Sequence, residues 1–229
     1  MDDFSGQDGV RISVHGEGHA QSPAERATVS LAVGFDGGDR RSVRDRSAAT
    51  LAVCIESIAV MHDPAAGPVV DWAADDVQVW AERPWNSEGA QLPLVYHSRA
   101  QLTATFSDVR RLSVWLEDAA SQDGVSVGGI TWAVTDLTKR ELEARAQRDA
   151  VAHAVDKASV YAASLGLSGC TPVELSEPTV AYPFPGREDA RMFAMAASAP
   201  VDLAPAPVRI DVAIDVRFTA RPARAQTDT

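Results

Sequence analysis

ATVSLAVGFDGGDRRSVRDRSAATLAVCIESI, residues 27–58, changes its period halfway along. Ala27, Val29, Leu31 and Val33 occupy every second position, the spacing of apolar side chains on a strand with one buried face. After Gly37-Gly38 the interval lengthens: Val43, Leu51, Ile55 and Ile58 recur at helical spacing, and Arg41, Arg44, Asp45 and Arg46 are left for the outer side. The stretch predicts a strand followed by a helix from about Asp39 to His62, closed by Asp63-Pro64.

Working towards the C-terminus, an Ala-, Gly- and Pro-rich loop leads to a third strand around Val77 and Val79, then to a polar connection from Pro84 to Pro93. Leu94 to Phe106 reads as a long strand with Tyr96, Leu102, Ala104 and Phe106 on one face. Ser107-Asp108 can cap a short helix carrying Leu112, Trp115, Leu116 and Ala119; Asp123-Gly124 ends it, and Val125 to Val134 returns to strand. Strand, helix, strand, strand, helix, strand is the split β-α-β-β-α-β order. Towards the N-terminus, Val10, Ile12 and Val14 alternate with polar residues, which predicts a first strand forming an antiparallel hairpin with the 27–33 strand across Gln21-Ser22-Pro23.

Beyond the split core, Thr138-Lys-Arg-Glu141 has the form of a capping box. It opens a long helix with Leu142, Ala146, Ala150, Ala154, Ala158, Ala162 and Leu165 along one stripe, stopped by Gly166; such small residues let a helix approach a sheet closely. Thr171 to Val180 predicts a strand interrupted by Pro178. Residues 183–207 form a Pro-rich excursion, and Val208 to Phe218 alternate throughout. The expected fold is α+β: an antiparallel or mixed sheet with the split core, an added N-terminal hairpin strand, a long Ala-rich helix and C-terminal strands. No linker separates two cores, so residues 10–220 read as one domain, with 1–9 and 221–229 as disordered ends.

The bulk composition narrows the function. The 229 residues carry 21 basic and 32 acidic side chains, a net charge of −11, and only two of the cations are lysines, Lys139 and Lys157. Phosphate backbones and anionic bilayers are bound through Lys and Arg, so neither nucleic acid nor membrane is an expected partner. No apolar run approaches the roughly 18 residues of a membrane span. MDDFSGQDGV has neither a basic nor an apolar leader segment, and with Met1 as the native start the expected location is cytoplasmic. Cys54 and Cys170 are then free thiols.

The segment Ile12-Ser-Val14-His-Gly16-Glu-Gly18, followed by Pro23 and an alternating strand, resembles the opening of the SIMPL (DUF541) family, with Ala24 where Asp is usual. The strand with Tyr96, the Gly124-Val-Ser-Val-Gly-Gly129-Ile turn and the Ala-rich helix ending Leu165-Gly166-Leu167 are similar too, so that the resemblance covers about Val10 to Glu177 and the final strand. It implies an α+β fold and a tendency to oligomerise. Members include a periplasmic immunogenic protein that forms ring-like assemblies and an adaptor linked to a pelle-like kinase in NF-κB signalling. It implies no catalytic residues.

Several constellations invite chemistry and fall short of it. Gly16-Glu-Gly18 lacks the further glycines, the Lys-Ser/Thr and the following helix of a phosphate loop; a strand-end turn or bulge accounts for it. His15 and His19 are about 13 Å apart on a continuous strand, too far to share an ion. His62, His97 and His153 are scattered, there is no Gly-x-Ser-x-Gly elbow, and Asp71, Asp75 and Asp76 read as a solvated loop. No catalytic, cofactor or metal residue is expected. The tryptophans say more. Trp115 and Trp132 fit the core, whereas Trp80 has the opposite parity to Val77 and Val79. With Trp85 and Tyr96 it could form an exposed aromatic patch of the kind that marks interaction sites. The expected function is that of a non-enzymatic interaction or scaffold protein acting as a homo-oligomer, with a protein partner as a further expectation. The alternative is a small-molecule-binding protein or enzyme whose site is assembled from scattered residues, and a cleft with convergent His, Asp and Arg would point to it.

Overall fold

The computed structural model describes residues 9–178 and 203–222. Most of the Pro-rich excursion and most of both ends expected to be disordered lie outside them. The protein is α+β, and its chain divides into two compact units, one holding described residues 9–22, 136–178 and 208–222, the other 23–135 and 203–207. Residues 10–220, read as one domain, carry two buried apolar clusters, one in each unit.

In the unit centred on residues 27–58, β2 (Arg26–Gly37) pairs antiparallel with β5 (Val95–Phe106) from Ala27↔Phe106 to Gly37↔Tyr96. β6 (Val125–Ala133) lines the other side of β2, and β3 (Val69–Ala74) and β4 (Gln78–Glu82) share the far side of β5. The order β3-β5-β2-β6 is that of the split core. The single third strand expected around Val77 is two short strands, and Asp71, expected in a loop, lies within β3.

Alternation decides which face is buried. Ala27, Val29, Leu31, Val33 and Phe35 of β2 join Ala100, Leu102, Ala104 and Phe106 of β5 under α1 (Arg40–Ala59) and α2 (Val109–Ala120). The helices contribute Val43, Leu51, Cys54 and Ile58, and Leu112, Trp115, Leu116 and Ala119. Each begins on an aspartate whose carboxylate accepts from orphan main-chain donors: Asp39 from Ser42 N at 2.7 Å, and Asp108 from Arg110 N at 2.9 Å and Arg111 N at 3.2 Å. Inside this core, Ser47 Oγ and Ser98 Oγ are 2.7 Å apart, and Ser98 Oγ lies within hydrogen-bond distance of Phe35 O, Phe35 N and Val43 O.

The second unit is a three-stranded antiparallel sheet, β1 (Val10–Ser22), β8 (Val208–Pro222) and β7 (Leu167–Ser176) in the order β1-β8-β7, with α3 (Asp136–Ser164) on one face. The expected hairpin between the first two strands is not formed. Instead β1 pairs with the last strand, Val14 opposite Val216, and belongs to a separate sheet from β2. The final strand is therefore central rather than an edge, and it runs on to Pro222, into the expected tail.

The alanine stripe of α3 is buried from Leu142 to Ala162, but Leu165, expected to finish it, is exposed. The helix starts at Asp136, so Thr138 lies in its first turn rather than at its cap. Gly16 and Gly18 face this helix. They do not mark a strand-end turn: β1 continues through them, and neither has positive φ. Their function is proximity. A Cβ on Gly16 would stand 2.8 Å from Ala154 Cβ, and one on Gly18 would run into Ala146 O and Ala150 N. Gly166, at φ 68°, closes the helix in the left-handed region.

Candidate contact surface

The three aromatic residues expected to form a patch do not all share a face. Trp80 pairs with His97 across β4 and β5, and Tyr96 pairs with Ala81. In β5 the even-numbered residues face the helices, so Tyr96 packs against the core while His97 and Trp80 lie on the helix-free face. Trp80 is 46% exposed, and Trp85, in the loop after β4, is 65% exposed. Trp85 forms an isolated bridge with Gln91 at the base of a turn in which Asn86 Oδ1 accepts from Glu88 N and Ala90 N. Trp80 and Trp85 are therefore exposed, and Tyr96 is corrected to a core-packing residue.

Around Trp80 the register assembles a group that is scattered in the sequence. The indole stacks on the His97 imidazole, with centroids 5.4 Å apart and planes 21° from parallel. His97 Nδ1 is 2.6 Å from Asp36 Oδ1 on β2, and its Nε2 faces Glu82 Oε1 on β4 at 3.4 Å. Three strands thus meet at one imidazole. Pairings 61 residues apart position Asp36, and one strand's parity says nothing about which carboxylate its neighbour will present.

The helix-free face of the other sheet also carries a histidine beside carboxylates. His15 Nδ1 is 2.9 Å from Asp215 Oδ1, and His15 Nε2 is 3.7 Å from Glu17 Oε1. Next along β8, Arg217 pairs with Glu174 of β7. A shallow groove of about 240 Å³ runs over these residues, with Ser13 and Ser176 at its sides. His, Asp and Arg do converge here, but each of the three is already engaged with a neighbour. Among the described residues, no three of His, Cys, Asp and Glu are placed to hold a metal ion, and no helix is long and apolar enough to cross a membrane.

Sheet edges are the other surface through which a chain can join a neighbour, and here they are interrupted. On the outer side of β1, Lys157 Nζ donates to His15 O at 2.8 Å and Glu17 N donates to His153 Nδ1 at 3.0 Å, so α3 side chains occupy main-chain groups that a new strand would use. β7 contains Pro172, which lacks an N–H, and shifts register at Ser168/Cys170 and again at Pro172/Glu174. β6 slips by a residue opposite Ser30, where Gly128-Gly129 stands, and the β3–β4 edge is broken at residues 75–77. Bulges, prolines and charged covers are the devices by which natural sheets resist edge pairing.

A family model described as SIMPL, protein of unknown function (DUF541), matches residues 12–218. No curated protein matches the chain.

Proposed function

Because the chain belongs to the SIMPL (DUF541) family, a family without an assigned function, we propose that it is a non-enzymatic interaction protein that works as a homo-oligomer through the exposed tryptophans at β4. The observation that carries this reading is the exposure of Trp80 and Trp85, within five residues of each other, whereas Trp72, Trp115 and Trp132 pack against the core. Indole is the side chain that most often anchors a protein contact, because it brings a large, rigid apolar area at little cost in conformational entropy. The interrupted sheet edges favour association through faces over strand addition. The Pro-rich excursion, 183–207, is the second element expected to take part, as an arm to a neighbouring copy.

Light scattering at micromolar concentration tests the proposal. The wild type should exceed the 24.3 kDa of one chain, and Trp80→Ala with Trp85→Ala should lower the mass. A wild-type mass of one chain rejects homo-oligomerisation. An unchanged oligomer in the double variant rejects the tryptophan surface, and one that survives deletion of residues 183–205 rejects the arm. The groove over His15, Asp215 and Arg217 favours a second reading, a small polar ligand held among alternating charges. A thermal shift with such a ligand that is lost in Arg217→Ala would support it.

A further inference from the structure

His97 is held asymmetrically. A carboxylate only accepts, so the 2.6 Å contact with Asp36 puts a proton on Nδ1. Nε2 is buried and has no hydrogen-bond partner, while Glu82 Oε1 stands 3.4 Å away on the neighbouring strand. This geometry suits a neutral ring with a bare lone pair at Nε2. A second proton would turn that lone pair into a buried N–H, and a buried donor without an acceptor is costly.

We propose that His97 is a proton-operated latch on Trp80. A proton taken from solvent at Nε2 recruits Glu82 as acceptor, and its carboxylate closes from 3.4 Å to a charge-assisted bond of about 2.7–2.9 Å, bracing two strands that are already paired. Trp80 lies between Glu82 and the start of β4, with its indole already on the imidazole. An imidazolium under that ring adds cation–π attraction to the stack, so protonation tightens a contact that the neutral ring already makes. Among the described residues, the charged groups flanking the ring are Asp36 from β2, Glu82 from β4 and Arg99, the next residue on the same face of β5, whose own cross-strand partners Gly34 and Gln78 are uncharged. The consequence for assembly rests on the reading of Trp80 as part of the contact surface; the latch itself does not.

The emission of Trp80, taken as the difference between wild type and Trp80→Phe, is the direct readout, since imidazolium quenches a stacked indole. Acidification should remove much of that emission and reduce its quenching by added iodide. Both changes should vanish in His97→Gln, and Glu82→Ala, which removes the acceptor, should keep the emission change while losing the protection from iodide. A Trp80 signal that is flat with pH in the wild type, or that titrates unchanged in His97→Gln, overturns the latch. Mass over the same pH range separates the two proposals: an optical step without a mass change keeps the latch and removes Trp80 from the contact surface.

Discussion

Gly18 lies against Ala150 of α3 with no room for a side chain: a Cβ at Gly18 would fall on the Ala150 main-chain nitrogen and the Ala146 carbonyl oxygen, 3.0 Å from the Asp149 carbonyl carbon. The obstacles are helix backbone, which cannot rotate aside as a long side chain can. Helix and strand therefore approach as closely as two backbones can, with glycine on one surface and alanine on the other. Gly18→Ala should cost the upper part of the roughly 1–3 kcal/mol typical of overpacked cores. Ala154→Leu, which pushes on Gly16 from the other side, should cost a similar amount. Gly38→Ala is the control: nothing lies within 4 Å of its Cβ position and its φ is not positive, so it should be neutral or stabilising by about 0.4–1 kcal/mol through the unfolded chain. Thermal unfolding of the three variants checks this; equal melting for Gly18→Ala and wild type would contradict the close contact.

Ser98 should be the most sensitive hydroxyl in the α1/α2 unit. Its Oγ is buried and serves Ser47, Phe35 and Val43 at once. Ser98→Ala leaves the fully buried Ser47 hydroxyl without that partner and should cost about 1–3 kcal/mol. Ser47→Ala in the Ser98→Ala background should cost less than Ser47→Ala alone. A double-mutant cycle with zero coupling would mean that the two hydroxyls do not interact.

The two cysteines should differ sharply in reactivity. Cys54 is buried, and desolvation raises its thiol above the ordinary value, whereas Cys170 is half-buried, with its Sγ 3.3 Å from Ala158 O. A thiol reagent should label Cys170 in the folded protein and Cys54 only on unfolding, because the thiolate is the nucleophile. The sign of the pH effect follows. A raised folded-state pKa contributes stability that is intact below the unfolded value of 9.0 and is lost as pH climbs past it, so Cys54→Ala should flatten the decline in stability above pH 9. Equal labelling of both thiols in native protein would place Cys54 at the surface.

What could be read in one chain was local. The change of period at Gly37-Gly38 and the caps at Asp39 and Asp108 are properties of neighbouring residues, and they locate the split core. The stripe from Leu142 to Ala162 is legible for the same reason. Partner choice was not. β1 looks like one arm of a hairpin because β2 follows after three residues, yet its true neighbour is β8, with Val14 opposite Val216. Gly16 and Gly18 carry no sign of the helix that excludes their side chains. At the candidate surface, parity alone points Trp80 away from the core. Tyr96 shares the parity of Leu102, Ala104 and Phe106, so its own strand already sets it on the core face and away from Trp80, and His97 gains its meaning only from Asp36 and Glu82, on two other strands.

The last prediction concerns the guard on β1. An outer strand offers unpaired N–H and C=O groups to any extended chain, and β1 is long, regular and apolar on its helix-facing side. Its protection is specific: Lys157 occupies the carbonyl of His15 and His153 accepts the N–H of Glu17, both reaching from α3. The other edges of the two sheets are interrupted in their own backbones, by Pro172 and two register shifts in β7, by Gly128-Gly129 in β6 and by the break between β3 and β4. Only the β1 guard can be removed without disturbing the strand it covers. Lys157→Ala with His153→Ala should leave the secondary structure intact and expose the pair of main-chain groups, producing self-association that grows with protein concentration and adds strand signal in the infrared amide band. Trp80→Ala in the same background should not prevent it, because strand addition uses a different surface. A double variant whose mass matches wild type at every concentration would mean that the geometry of β1 alone resists pairing.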